Sequence, residues 1–184
     1  MTCRERSLIL PLTGLAVALH WLPAVSNALR FERPALAAGE LTRVLSCHFT
    51  HYSFEHLFWS GGAFLVLGLA CEARDRGRTA RCLLAAAVAI PLAVYLFLPG
   101  MESYGGLSGL DSALWMLLGV NLFREGSRRQ SRIAVALIAG FLGKTLFELV
   151  TGLTLFVDTA ASSFVSVPLA HLVGAATGLY FGRK

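Results

Sequence analysis

The chain has 184 residues, of which 55% are hydrophobic and only 15% are charged. In soluble domains about a quarter of the residues are charged, so the missing charge indicates a membrane protein. The net charge of +5 does not indicate nucleic-acid binding, because the basic residues lie in short segments between apolar runs. The four cysteines form no CxxC pair, which argues against a zinc ribbon or a redox motif. We expect one domain, residues 1–184.

Apolar runs predict an all-α, polytopic membrane protein, because about 20 apolar residues cross the hydrocarbon core as a helix. The six predicted spans are residues 7–29, 53–69, 82–98, 106–123, 133–153 and 164–181. The segment 30–47 is too long for a tight turn. It is interpreted either as a partly interfacial element or as an ordinary loop.

The basic residues predict the orientation of these spans. Twelve of the sixteen fall before span one, between spans two and three, between spans four and five, and after span six: Arg4, Arg6, Arg74, Arg76, Arg78, Arg81, Arg124, Arg128, Arg129, Arg132, Arg183 and Lys184. Because cytoplasmic loops carry an excess of Lys and Arg, both termini are expected in the cytoplasm.

A serine lies at the outer start of the fourth span, in the string Gly106-Leu107-Ser108-Gly109. Glycine on both sides lets the backbone turn sharply and approach its neighbours closely. The hydroxyl can then face a water-filled cavity as a nucleophile, or it can simply cap the helix.

The sixth span contains His171, Gly174 and Gly178, whose spacings of three and four place them on one helix face. The two glycines form a GxxxG surface that permits close helix packing. The histidine on that face is either a functional group or a hydrogen-bonded core residue.

A third cluster of polar residues precedes and opens the second span, where His51 and His56 lie. These histidines suit interfacial anchoring, donation to an anion, or metal binding. No acidic residue completes an HExxH-type ligand set, so no metal is expected.

The three clusters lie at similar depth on the outer side, since His171 is about seven residues, or ~10 Å, inside its span. Ser108 and His171 can then act as nucleophile and base, with oxyanion donors nearby and no third carboxylate.

Together these motifs resemble the rhomboid intramembrane serine proteases, and most closely the small bacterial subgroup called rhombosortases. The resemblance runs from Glu40 to the C-terminus. It rests on the His-x4-His pair of span two, the GLSG string of span four and the His-x2-Gly-x3-Gly string of span six. It implies a six-helix rhomboid-like bundle that needs no cofactor.

The resemblance also implies roles for individual residues. Ser108 is the nucleophile and His171 the base of a dyad, while His56 and the Ser108 backbone N–H form the oxyanion hole. His51 supports that hole.

Further positions are assigned less directly. Gly106 and Leu107 belong to the support of the oxyanion site, and Gly109 belongs with the glycines that pack the helices. Ser60 stands where the family usually has asparagine, so it is expected to be a weaker donor there, or to leave room for water.

Three charged residues within the spans have open roles. Asp111 either orients His171 as a triad-like acid or bonds Ser112 or another span. Lys144 and Glu148 look like the Lys/Glu pair of the rhombosortases, and without the family they indicate an ion pair at i, i+4.

The implied substrate is a single-span membrane protein whose C-terminal tail has a Gly-Gly motif, a transmembrane helix and basic residues. The implied location is the bacterial inner membrane, with the site opening toward the periplasm. We interpret the loop 154–163, together with span five, as a gate above the site. The oligomeric state stays open. A catalytically inactive binder of transmembrane segments is the alternative; a transporter is disfavoured because no internal repeat is visible.

Overall fold

The computed structural model describes residues 7–155 and 167–183, which fold as helices around one short ribbon and confirm the predicted all-α class. The predicted gate and the first residues of span six lie mostly outside these ranges. The elements are α1 (Ile9–His20), α2 (Pro23–Leu29), β1 (Phe31–Glu32), α3 (Arg33–Ala37), α4 (Arg43–Ser46), a 3₁₀ turn (Cys47–Phe49), α5 (Phe54–Phe97), β2 (Ser103–Tyr104), α6 (Ser108–Glu125), α7 (Arg128–Thr151) and α8 (Pro168–Arg183).

Helix α5 is a hairpin whose turn is a single residue. Ser60 and Ala87 would lie about 40 Å apart along a straight helix, yet one short segment contacts both. His48 Nε2 bonds the Ala87 carbonyl at 2.9 Å, and His51 Nε2 bonds Ser60 Oγ at 3.0 Å. The chain therefore folds back at Asp75, where φ is −155° and ψ is 97°.

Asp75 also starts the second arm of this hairpin, residues 76–97. Its carboxylate accepts from the Arg78 backbone N–H at 2.7 Å, and its carbonyl accepts from the Thr79 hydroxyl at 2.8 Å. An aspartate is among the preferred residues at such a helix start. The predicted loop between spans two and three is thus much shorter than expected.

The first predicted span differs from one straight helix. α1 and α2 meet at an angle of 116°, and Trp21 between them is 71% exposed. Pro23 opens α2 and has no N–H to continue the hydrogen bonds of α1, which accounts for the break.

Two of the described helices, α5 and α7, are long and apolar enough to cross a membrane, and the bent pair α1–α2 is a third if it counts as one span. α5 has 44 residues, or about 66 Å of helix, which is roughly twice the thickness of the hydrocarbon core. Two crossings by its two arms agree with spans two and three. The count of six stays a prediction.

Helix α6 is the centre of the bundle. From Gly109 to Leu122 every residue except Trp115 is buried, as expected of a helix surrounded by others. α5, α7 and α8 all pack on it.

One end of the bundle collects the basic segments. Arg78 contacts Asn121 and Glu125 near the end of α6, and Arg124 donates to the carbonyls of Gly182 and Arg183 at the end of α8. Cations at helix C-termini are stabilising. Which side of the membrane this end faces stays a prediction.

At the opposite end, a ribbon ties the long connection to the loop before Ser108. Phe31 pairs with Tyr104 and Glu32 with Ser103 in antiparallel register. The segment 30–47 is therefore an ordered element with two short helices, which bears against the ordinary-loop interpretation.

Candidate active site

A cavity of about 740 Å³ lies at this end of the bundle, between α1, the first arm of α5 and α7. Its wall is mostly apolar, but it includes Ser108, His171 and His56. The structure thus brings together the central residues of the three sequence clusters, which come from three different helices.

The turn that presents Ser108 depends on Gly106. Its φ of +118° is a conformation that glycine adopts readily and other residues avoid. A Cβ there would also lie 2.6 Å from Cε1 and 2.7 Å from Nε2 of His56. The Gly106 N–H donates to the Cys47 carbonyl at 3.1 Å, which fixes the turn on the 3₁₀ segment. Ser108 then begins α6 with its side chain at the cavity.

His171 is held beside Ser108 by close packing of α8 on α6. A Cβ on Gly174 would overlap the Gly109 carbonyl, and one on Gly178 would overlap the Ala113 carbonyl. Glycine is therefore required for the two backbones to touch, as in other small-residue helix contacts. Gly109 in turn lies against the Ala170 carbonyl, so the neighbours of Ser108 and His171 are in contact.

His56 lies at the start of α5 and lines the same cavity as Ser108. Ser53 caps that helix by accepting from the His56 N–H at 3.1 Å. The ring of Tyr52 stacks on the imidazole with an interplanar angle of 12°, and the His51 ring meets its edge at 5.0 Å. The imidazole is 2% exposed and is fixed by these rings next to Gly106.

Residues 38–184 match the family model of the Rhomboid domain. The chain belongs to the rhomboid family. Members of this family are generally intramembrane serine proteases that act on transmembrane substrates, and this rhomboid is a multi-pass membrane protein. The comparison with curated proteins found no match.

Ser60 of this rhomboid is engaged within the protein. Its hydroxyl donates to the His56 carbonyl at 2.7 Å and contacts His51 Nε2 at 3.0 Å. Because a hydroxyl carries one hydrogen, Ser60 in this arrangement has none left for an oxyanion. It links His51 to the backbone of His56 instead.

His51 lies against the turn that precedes Ser108. Its Nε2 lies 3.4 Å from the Leu107 backbone nitrogen as well as near Ser60, and the tautomer decides which contact is a hydrogen bond. Burial lowers the pKa of His51 well below its ordinary value, and the positive charge that His56 can carry acts in the same direction. His51 is therefore neutral at physiological pH.

Asp111 lines the cavity one turn along α6 from Ser108. Within the described ranges, no hydrogen bond joins its carboxyl to His171 or Ser112, and Oδ1 is buried without a partner. Ser112 donates to the Ser108 carbonyl at 2.9 Å instead.

The carboxylate on the base comes from α7. Glu148 Oε2 lies 3.1 Å from His171 Nδ1, and Oε1 accepts from Lys144 Nζ at 2.7 Å. The sequence drew attention to Lys144 and Glu148 as a pair but gave no sign that the histidine joins them. A glutamate in an apolar span indicates that some partner is needed, but it does not say which residue that partner is.

Proposed function

We propose that this rhomboid is an intramembrane serine endopeptidase with Ser108 as nucleophile and His171 as general base. The observation that carries the proposal is the shared cavity. Both side chains line it, on helices whose backbones touch at Gly109 and Gly174. In the part of the chain that the structure describes, no protein group hydrogen-bonds the Ser108 hydroxyl or His171 Nε2, so both atoms are available for reaction.

The reaction begins with attack of Ser108 Oγ on the carbonyl carbon of the scissile peptide bond. The Oγ–C bond forms while the hydroxyl proton moves to His171 Nε2. The tetrahedral intermediate then breaks its C–N bond, and the imidazolium gives that proton to the leaving amine. Water, deprotonated by the same nitrogen, hydrolyses the acyl-enzyme and restores Ser108.

The oxyanion is stabilised by His56 and the backbone N–H of Ser108. The Gly106 turn and the stacked Tyr52 fix the ring of His56 at the cavity that Ser108 also lines. Such preorganised donors matter because removing one typically costs on the order of 3–4 kcal/mol in the transition state. His51 supports this arrangement through Ser60 or through the Leu107 backbone N–H, according to its tautomer.

A membrane-embedded substrate segment suits the rest of the cavity. Phe58 and Trp59 of α5 and Phe141 of α7 give it an apolar wall. A substrate helix must unwind to expose its scissile bond, and glycine favours unwinding. The resemblance of the motifs to the rhombosortases implies the substrate more closely, and we propose single-span, Gly-Gly-tailed proteins, cleaved at the periplasmic side of the bacterial inner membrane.

Co-expression with a reporter that carries such a tail tests this assignment. Cleavage of the reporter is expected with the wild-type protein and is expected to be undetectable with Ser108→Ala, because the nucleophile is gone. A reporter with both tail glycines replaced by leucine is the matched substrate control and should stay intact.

Membrane fractions blotted for this rhomboid check that both forms accumulate equally. Equal cleavage by Ser108→Ala would rule out the protease. Stable capture of the reporter without cleavage by either form would favour an inactive binder.

A further inference from the structure

Glu148 is the most buried charged group near the cavity. Its side chain is 2% exposed, against 19% for Lys144 one turn earlier on α7. A charge within an apolar span is costly and is retained for a function or a partner. A simple surface ion pair at i, i+4 does not need its carboxylate directed into the bundle.

The two carboxylate oxygens serve two different partners. Oε1 accepts from Lys144, and Oε2 contacts Nδ1 of His171 across the interface between α7 and α8. A carboxylate can only accept, so Nδ1 carries a hydrogen in this contact. Nε2 is then the nitrogen with the free lone pair, and it is the one left for Ser108.

We infer that Glu148 is a positioning residue that holds the imidazole of His171 in the tautomer and orientation needed for proton transfer from Ser108. The inference rests on the proposed function. The site is then a Ser–His–Glu arrangement in which Glu148 keeps its charge throughout. When Nε2 takes the Ser108 proton, the neighbouring carboxylate stabilises the imidazolium, as the acid does in hydrolase triads.

Other charged or titratable groups near His171 do not replace it. His56 from α5 and Asp111 from α6 face the same cavity, and in the described residues neither hydrogen-bonds the imidazole. Lys144 donates its hydrogen bond to the other oxygen of Glu148. Glu148 is therefore the acceptor on which the orientation of the base depends.

The test compares Glu148→Gln with Lys144→Met in the full-length protein, purified in detergent and treated with a fluorophosphonate probe. Glutamine offers a single acceptor oxygen for two donors, so we expect the maximal labelling rate to fall about 10²-fold, with little change in the probe concentration for half-maximal rate. Lys144→Met leaves Oε2 in contact with the histidine. The fall in its maximal labelling rate should therefore be less than a tenth of the fall in Glu148→Gln.

A role confined to the ion pair gives a different pattern. Both substitutions break the pair, so equal losses in the two variants would overturn the inference, as would a wild-type rate in Glu148→Gln. Thr145→Val is the matched control, because Thr145 is buried on the same helix and does not line the cavity. Its rate should equal that of the wild type.

A double variant keeps the test decisive if Glu148→Gln fails to fold. Lys144→Met with Glu148→Met removes both charges together, which avoids a lone buried charge. The folded double variant should label about 10²-fold more slowly than the wild type, and a wild-type rate in it would refute the positioning role. A wild-type protein that never reacts would overturn the proposed function and, with it, this inference.

Discussion

Replacing His171 by alanine is expected to slow the reaction of Ser108 with a fluorophosphonate probe by about 10²- to 10⁴-fold, the contribution of a positioned general base. The imidazole is the only base we assign to the serine, and its Nε2 is available at the cavity. The measurement is the second-order labelling rate in detergent, read from in-gel fluorescence at several probe concentrations.

Leu172→Ala is the matched control for this substitution. Leu172 follows the histidine on α8 but is 43% exposed on the outside of the bundle, so its variant should react like the wild type. Unchanged labelling of His171→Ala, with thermal unfolding like that of the wild type, would contradict the role of His171 as base.

The second large effect is expected from Gly174→Val. A Cβ at this position overlaps the backbone carbonyl of Gly109, which cannot move aside as a side-chain end can. α6 and α8 must separate, and with them Ser108 and His171. We expect a loss of about 3 kcal/mol in stability, at the upper end for overpacking, and loss of labelling. Thermal unfolding and probe reaction measure the two effects.

Gly143→Val tests whether the effect belongs to the α6–α8 contact. Gly143 lies within α7, and no heavy atom lies within 4 Å of a Cβ built there. Its valine variant should unfold and react like the wild type. Equal stability of Gly174→Val and the wild type would mean that α6 and α8 are not in the close contact described.

The sequence predicted those parts of the site that depend on local spacing. The intervals between His171, Gly174 and Gly178 place the three residues on one helix face, and in the structure both glycines lie against the backbone of α6. The glycines of the GLSG string were expected to let the backbone turn sharply, and in the structure Gly106 has a φ of +118°. The rhomboid family, suggested by the three motifs together, is confirmed by the family match over residues 38–184. The rhombosortase subgroup stays a prediction.

Contacts between residues on different helices could not be predicted from the spacing of residues along the chain. The interval between Lys144 and Glu148 predicts their ion pair, but it carries no information about His171, 23 residues further on. The hydrogen bond from Ser60 to the His56 carbonyl depends on the rotamer of Ser60 and on the residues around it, which the sequence does not give. From the sequence, serine in place of asparagine was expected to be a weaker donor to the oxyanion. The structure shows that its hydroxyl donates to the His56 carbonyl instead.

The backbone breaks show a second limit. The apolar run continues through Pro23 and gave one long predicted span, although in the structure Pro23 opens a separate helix. At Asp75 the reverse occurred. Charged residues suggested a loop between two spans. In the structure the chain turns back at the single residue Asp75, which caps the arm that follows. Hydropathy locates apolar runs, but capping and the loss of one N–H decide where each helix bends.

The most direct test of the central claim is to locate the fluorophosphonate adduct by mass spectrometry of peptides from the labelled, full-length protein. We expect one modified residue, Ser108, and no adduct in Ser108→Ala. Ser112, one turn along α6 and also at the cavity, is the internal comparison. An adduct on Ser112 or elsewhere that persists in Ser108→Ala, or no adduct on the folded wild-type protein, would contradict Ser108 as the nucleophile.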